Sequence, residues 1–269
     1  MSRVRTPSIA LLFDPESPLH LLQALWLGIV QGVTEFFPIS SSTHLKITKY
    51  LLDIPQDGGL SFDLACHVGT WLALIYFLRQ DLWRIVRQPK QLALLSLALI
   101  PLVPAYFLFK PLRLALSSPQ ASGYLLLVTA ALLFLSCRKR VDGTKSKKWQ
   151  DVIWIGTSQA LALLPGISRS GATIATARWR GWTWIEGARF SFLLAVPTIL
   201  GGVSVEALKG APDAIDLPCC AVGLAASFLV GLGTIRLAFW LYNKNIVQPF
   251  AWYCLGLGLF VIKTWGHIG

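Results

Sequence analysis

Long apolar runs separated by short polar segments dominate the chain from position 20 onward. A helix that crosses a bilayer needs about 20 mostly apolar residues, and several of these runs approach that length. The pattern therefore predicts six full transmembrane helices, at 62–78, 92–109, 123–136, 188–205, 217–242 and 247–265.

Two further apolar stretches are each interrupted by a cluster of Pro, Gly and Ser. The first stretch covers 21–52 and is broken at 38–42, and the second covers 149–177 and is broken at 165–171. Non-helical backbone within a membrane is tolerated only where protein or a water-filled cavity surrounds it. A helix, a break and a second short helix therefore predict a re-entrant hairpin at each stretch.

The two interrupted stretches also resemble each other, because Gly-x-x-Gln precedes the break in both, at 28–31 and at 156–159. Matching interrupted segments in the two halves of a membrane protein point to a binding site near the bilayer midplane. We therefore expect an all-α polytopic membrane protein, built as an inverted-topology repeat of about six full transmembrane helices and two re-entrant hairpins.

The same pattern predicts the domain organisation. We expect a surface tail at 1–19 followed by a single integral membrane domain at 20–269. Its repeat halves cover approximately 20–137 and 149–265, and the basic loop 138–148 joins them on the cytoplasmic side.

Composition excludes an ordinary soluble protein. Of the 269 residues 54% are hydrophobic and only 14% are charged, whereas soluble domains carry about 25% charged residues. The net charge of +11 comes from basic residues in short loops, chiefly 79–90, 138–148 and 178–189. The positive-inside rule places those loops in the cytoplasm, so we expect contact with lipid headgroups and no nucleic-acid partner. With this orientation the first hairpin enters from the outer face and the second from the cytoplasmic face.

The first hairpin contains the polar residues Gln31, Glu35, Ser40, Ser41, Ser42 and His44. A carboxylate in a membrane segment is costly unless it is paired, hydrated or bound to a metal. Glu35 is therefore a candidate base or metal ligand, and the alternative is a structural ion pair. The serines follow a proline, where hydroxyl groups often cap a helix, so each of them also has a structural interpretation.

The second hairpin contains Ser168, Arg169, Ser170 and Gly171 at the start of a helix. The planar guanidinium of Arg169 suits a phosphate group, and the N–H groups of a helix N-terminus attract anions. The alternative is an ion pair between Arg169 and Glu35, which is compatible with phosphate binding if the pair opens when substrate arrives.

A carboxylate, several hydroxyls, an imidazole and an anion-binding arginine together suit phosphoryl transfer, which depends on positioning and on neutralising oxygen charge. A membrane transporter is the main competing hypothesis, because inverted repeats with broken helices are typical of carriers. A polyprenyl-phosphate flippase would use a similar anion site. A structural scaffold would leave the buried Glu, His and Arg residues unexplained.

Two segments carry a specific resemblance: QGVTEFFPISSSTH at 31–44 and LPGISRSGAT at 164–173. They resemble the two signature motifs of the undecaprenyl-diphosphate phosphatases, the bacitracin-resistance family BacA/UppP, and the resemblance extends over nearly all of 20–265. It implies a hydrolase that converts undecaprenyl diphosphate to undecaprenyl phosphate in the bacterial inner membrane, recycling the lipid carrier for peptidoglycan. It further implies an active site open to the outer face, a divalent cation such as Mg²⁺ or Ca²⁺, and a homodimer.

The resemblance also implies roles for individual residues. Glu35 would be the essential carboxylate, Ser41 the nucleophile, His44 an acid or base, and Arg169 the group that binds the diphosphate. Glu35 and Gln31 would hold the metal. The substrate-binding residues would be Gln31, Ser40, Ser42, Ser168, Ser170, Gly171 and Thr173.

Two positions depart from the family pattern. Gln31 stands where many members have a second glutamate, and an amide can coordinate a cation but cannot act as a base. Ser42 and Thr43 replace a Thr-Gly pair, so the loop lacks a flexible glycine. His67, on an apolar segment, is expected to be a satisfied core histidine.

Overall fold

The computed structural model describes residues 19–54, 60–141, 148–209 and 216–265. None of these residues forms a β-strand. Most of the predicted tail at 1–19 and the centre of the loop at 138–148 lie outside the described residues. The described part folds into helices α1 Leu21–Thr34, α2 Ser41–Leu51, α3 Leu60–Val86, α4 Pro89–Leu99, α5 Leu102–Leu108, α6 Lys110–Ala115, α7 Pro119–Cys137, α8 Trp149–Leu161, α9 Arg169–Trp179, α10 Trp184–Leu208, α11 Leu217–Asn243 and α12 Gln248–Trp265.

The long helices confirm the prediction of an all-α polytopic membrane protein. Among the described residues, five helical segments are long and apolar enough to cross a membrane. They are Leu60–Val86, Pro89–Leu108, Pro119–Cys137, Trp184–Leu208 and Leu217–Asn243. The sixth predicted span coincides with α12, an 18-residue helix whose polar residues lower its mean hydropathy.

One predicted span is divided in the structure. The stretch predicted as a single helix at 92–109 forms α4 and α5, with Pro101 at the junction. Proline lacks the N–H that would continue the helical ladder and its ring crowds the preceding turn, so the break follows from the sequence. Together the two helices keep the length of one span.

Both predicted breaks separate pairs of packed helices. The chain turns between α1 and α2 at Pro38 and between α8 and α9 at Pro165 and Gly166, and each pair is in contact. Gly166 has a φ of 112°, a backbone conformation that only glycine adopts without strain. The membrane re-entry of these hairpins, the inverted repeat and the domain boundaries stay predictions.

Helices from the two halves of the chain interleave. Helix α7 packs along α12, and α11 packs along both α1 and α3. Glycines permit this close approach: a Cβ added at Gly28 would lie 2.7 Å from the carbonyl oxygen of Gly223. Small residues at helix contacts are the usual means of packing helices in a membrane. Neither half therefore completes its own core.

The first hairpin is anchored by aromatic packing. Phe36, directly after Glu35, is fully buried, and its ring lies edge-on to Phe192 of α10 with centroids 5.6 Å apart. Such pairs add stabilisation to that from burial alone. The turn that carries Glu35 is thereby fixed to the core.

An ion pair between the buried Asp151 and the partly exposed Arg180 holds the opposite end of the second hairpin. Asp151, in the first turn of α8, accepts hydrogen bonds from Arg180 Nε at 2.6 Å and from the backbone N–H of Lys148 at 3.1 Å. The indole N–H of Trp182 donates to the same carboxylate at 3.5 Å. This carboxylate therefore ties the start of α8 to the chain that follows α9.

We expect Asp151→Asn to lower the free energy of unfolding by about 2–3 kcal/mol, because hydrogen bonds to a buried charge are among the strongest. Thermal unfolding of the purified protein in detergent measures the effect. Asp81→Asn is the matched control: its partners Arg84 and Arg189 are more than half exposed, and such pairs contribute at most about 1 kcal/mol. Equal effects of the two substitutions would contradict the prediction.

Candidate active site

Glu35 lies where the two hairpins meet. Its Oε2 accepts a hydrogen bond from Ser41 Oγ at 2.7 Å and one from Gln31 Nε2 at 3.1 Å. Its Oε1 accepts from Arg169 Nη2 at 2.6 Å, across 134 positions of sequence. The ion pair considered as an alternative for Arg169 is therefore present, and it joins the two predicted motifs at one carboxylate.

The turn after α1 directs Ser41 back towards Glu35. Ser40 has a φ of 67°, a left-handed conformation that costs a non-glycine residue about 1 kcal/mol or more. Its hydroxyl lies 3.3 Å from Ser42 Oγ and 3.1 Å from Thr43 Oγ1. These contacts hold the turn from which α2 begins at Ser41.

The second hairpin presents the start of α9. Ser168 Oγ accepts from the N–H of Gly171 at 3.1 Å and so caps the helix. Ser170 Oγ donates to the carbonyl of Phe37 at 2.9 Å, a direct link to the first hairpin. Thr173 Oγ1 lies 2.7 Å from Ser191 Oγ, on the side that packs against α10. These serines and Thr173 hold the helix start that carries Arg169.

A cavity of about 750 Å³ opens beside this cluster. Its polar end is lined by Glu35, Ser40, Ser41, Ser42, Ser168, Arg169 and Ser170. Its walls are apolar and include Leu99, Leu102, Val103, Phe107, Pro197 and Ile199. This shape suits a ligand with an anionic head and a hydrocarbon tail. Gln31, Gly171 and Thr173, which the sequence analysis assigned to the site, are buried and do not line the cavity.

His44 is not among the residues that line the cavity. Its Nδ1 lies 2.8 Å from the carbonyl oxygen of Ser40, and its Nε2 lies 2.8 Å from the hydroxyl of Tyr253. A carbonyl can only accept, so Nδ1–H donates to Ser40 and Nε2 accepts from Tyr253. In this arrangement His44 supports the turn at Ser40, and its role as an acid or base stays a prediction.

The cavity lining includes charged and amide side chains that the sequence analysis did not assign to the site, namely Asp63, Arg113, Gln159 and Glu206. His67, expected in the core, is only partly buried and lines the cavity too. Asp63 and His67 are four positions apart on α3, and this spacing places them on one helix face, a signal that was visible in the sequence.

Two charged residues of the cavity lining, Glu206 and Arg113, differ in whether a residue of opposite charge pairs with them. Glu206 accepts from Lys209 Nζ at 2.6 Å, and this hydrogen bond raises the pKa of Lys209. Arg113 lies over the ring of Tyr106, 4.3 Å from its centroid, and donates to the Tyr106 carbonyl. No carboxylate of the described residues pairs with Arg113, so its charge favours an anionic ligand.

The Glu35 carboxylate and the Gln31 amide offer oxygen atoms of the kind that a divalent cation takes as ligands. Gln31 Oε1 is buried and has no hydrogen-bond partner among the described residues, and it belongs to the same amide that contacts Glu35. Mg²⁺ commonly uses one or two protein oxygens together with phosphate oxygens and water. The described residues contain no group of three His, Cys, Asp or Glu side chains that could hold a metal.

Comparison with known proteins decides the family. The family model described as bacitracin resistance protein BacA matches residues 24–260. This chain belongs to the BacA family.

Relatives named undecaprenyl-diphosphatase are similar to it over most of both chains. The protein from Protochlamydia amoebophila is 37% identical over 249 residues, which cover 90% of this chain and 97% of the relative. The protein from Christiangramia forsetii is 35% identical over 91% of this chain and 98% of its own length. A third, from Rubrobacter xylanophilus, is 37% identical over 90% of this chain and 97% of its own. The family resemblance drawn from the two motifs is confirmed.

In this BacA-family chain we expect Arg169→Lys to lower kcat/KM about ten- to a hundredfold. Arg169 uses Nη2 for Glu35, while its Nη1 is buried without a partner in the described protein. Lysine keeps the charge and loses the fork that permits both contacts. Steady-state phosphate release measures the effect, with Arg189→Lys as the control because Arg189 pairs with Asp81 at an exposed position. Activity near that of wild type would contradict the view that Arg169 acts through both of its terminal nitrogens.

Proposed function

We propose that this chain hydrolyses undecaprenyl diphosphate to undecaprenyl phosphate and inorganic phosphate. The observation that carries the proposal is the hydrogen-bonded set of Ser41, Glu35 and Arg169 at the polar end of an apolar-walled cavity. The names of the relatives support this substrate. The reaction would recycle the lipid carrier of peptidoglycan synthesis, and the family description links it to bacitracin resistance.

Each part of the cavity has a counterpart in this substrate. The diphosphate would lie at the polar end, where Arg169 and the N-terminus of α9 favour negative charge. The proximal part of the polyprenyl chain would lie against the apolar walls, because burial away from headgroups is favourable for hydrocarbon. The remainder of the chain would extend into the bilayer.

Ser41 would act as the nucleophile. Its Oγ would form a bond to the terminal phosphorus while the bond from that phosphorus to the bridging oxygen breaks, and undecaprenyl phosphate would leave. Glu35, 2.7 Å from Oγ, would accept the hydroxyl proton. Water would then attack the phosphoserine and release inorganic phosphate; Glu35 would return a proton to Oγ and take one from the water.

Arg169 would balance the charge during this step. Its Nη1 would donate to an oxygen of the terminal phosphate while Nη2 keeps its contact with Glu35. Glu35 and Gln31 would hold a divalent cation such as Mg²⁺ or Ca²⁺. When bound, the cation would neutralise diphosphate oxygens.

The proposed location is the inner membrane, with the cavity open to the outer face. The five apolar helical segments found among the described residues, together with the family, support a multi-pass membrane protein, and the basic loops support the orientation. Single cysteines placed near Ser117 and near Lys139, treated with an impermeant thiol reagent on whole cells, test it. We expect labelling at the first position alone. Labelling at the second position alone would show that the topology is the reverse of the proposed one. A homodimer, implied by the family resemblance, stays a prediction, and cross-linking in membranes tests it.

Phosphate release from undecaprenyl diphosphate by the detergent-purified protein tests the function. We expect release with Mg²⁺ or Ca²⁺, its loss in EDTA, and its return when the cation is restored. A folded protein that releases no phosphate under any of these conditions would contradict the proposal and favour the transporter. Phosphate release that is insensitive to EDTA would support the phosphatase activity and contradict its dependence on a divalent cation.

A further inference from the structure

Gln159 of α8 is a buried polar residue without a partner. Its side chain is 2% exposed and lines the cavity, as do Ser168 and Arg169. Neither Nε2 nor Oε1 of its amide has a hydrogen-bond partner among the described residues. Burying an amide without hydrogen bonds is costly, so a residue of this kind at a cavity wall points to a ligand that completes its bonding.

Comparison with two other buried glutamines shows what Gln159 lacks. Gln31 has Glu35 four positions further along its helix and donates to it. The corresponding neighbour of Gln159 is Leu163, which offers no acceptor side chain. Gln23 uses both amide atoms within the protein, accepting from the backbone N–H of His20 and donating to the carbonyl of Leu52.

We propose that Gln159 binds the diphosphate of the substrate, with Nε2 donating to a non-bridging phosphate oxygen. Arg169 Nη1 is likewise a buried donor without a protein acceptor, so the second hairpin offers the diphosphate one charged and one neutral donor. The neutral amide adds a hydrogen bond without adding charge to a site where Glu35 already compensates Arg169. This assignment rests on the proposed function.

The proposal makes opposite predictions for stability and activity. In Gln159→Met an apolar side chain of similar length replaces an amide that has no protein partner, so the thermal midpoint should equal or exceed that of wild type. The lost hydrogen bond to a charged oxygen should lower kcat/KM about ten- to a hundredfold, mainly through KM. Gln23→Met is the matched control: it breaks two internal hydrogen bonds, so its midpoint should fall while KM stays within about twofold.

Thermal unfolding and phosphate release on the three purified proteins test the proposal. A Gln159→Met variant with unchanged kcat/KM would overturn it, and so would a loss of activity that accompanies a fall in midpoint like that of Gln23→Met. If Gln159→Met does not accumulate, Gln159→Glu replaces it. Glutamate has the same size, removes the N–H donors and repels the diphosphate, so its kcat/KM should fall at least as far, and wild-type kcat/KM would overturn the proposal.

Failure of the proposed function would be recognised separately. If the wild type releases no phosphate, stabilisation by farnesyl diphosphate, a shorter prenyl diphosphate, still reports binding through its shift of the thermal midpoint. We expect a shift in wild type and in Gln23→Met and a smaller one in Gln159→Met. Equal shifts in all three would overturn the role of Gln159 whatever the reaction.

Discussion

Glu35→Gln should lower kcat/KM about 10³-fold or more. The substitution removes the group that would accept the Ser41 proton, and the loss of a positioned base alone costs about 10²- to 10⁴-fold. It also removes the negative charge that faces Arg169 at 2.6 Å, leaving a guanidinium that is only 17% exposed without its counter-ion. Phosphate release from undecaprenyl diphosphate measures the effect.

The matched control for this variant is Glu186→Gln. Glu186 accepts from the Thr183 backbone and hydroxyl at the start of α10 and does not line the cavity. It should retain wild-type kcat/KM within about twofold. A Glu35→Gln protein that folds like wild type and keeps more than a tenth of its activity would contradict the role of Glu35 as base.

Ser41→Ala should have an effect of the same order, a loss of about 10³-fold or more in kcat, because no other group can form the same covalent bond. Its folding should be nearly unchanged, since Ser41 is only partly buried and, among the described residues, its hydroxyl donates a single hydrogen bond, to Glu35. Rapid-mixing measurement of phosphate release, with a search for phosphoserine in acid-quenched wild type, tests the assignment.

Ser158→Ala is the control for Ser41→Ala. Ser158 Oγ donates to the carbonyl of Ile155 at 2.8 Å and, more weakly, to that of Ala172 at 3.4 Å. Ser158 does not line the cavity, so removal of its hydroxyl should leave kcat unchanged. Substantial release by Ser41→Ala would transfer the nucleophilic role to water. The same variant separates the two functional hypotheses, because a flippase would move lipid without Ser41, whereas a phosphatase that uses Ser41 as its nucleophile would release no phosphate without it.

The sequence was sufficient to predict the parts of the site that lie next to a break. Pro38 marks the first turn, and Pro165 with Gly166 marks the second. Glu35 precedes the first turn, and Ser41 and Arg169 begin the helices that follow the two turns. Gln31 and Glu35 are four residues apart, so their contact follows from helical geometry. These residues meet in the structure as the motifs predicted.

Contacts set by the distant fold could not be predicted from the sequence. His44 was assigned to the site by resemblance, yet its ring bonds to Tyr253, 209 positions away, because α2 and α12 are neighbours only in three dimensions. Arg113 is unremarkable within its segment, and Gln159 stands out in the sequence only as part of the repeated Gly-x-x-Gln pattern, which assigns it no role. Their relation to the site follows only from the fold, in which α6 and α8 border the same cavity as the two hairpins.

The interleaving of α7 with α12, and of α11 with α1 and α3, has a consequence for biogenesis. The first hairpin leaves the ribosome before the other helices, but α11, against which α1 packs most extensively, is synthesised only after α10. Its polar groups therefore stay incompletely enclosed until α11 and α12 have been inserted. A nascent chain that stops after α10 would carry Glu35, Ser41 and Arg169 and still lack the walls that hold the first hairpin in register. The membrane insertion machinery, and any quality-control protease beside it, would thus meet an unfinished active site throughout translation.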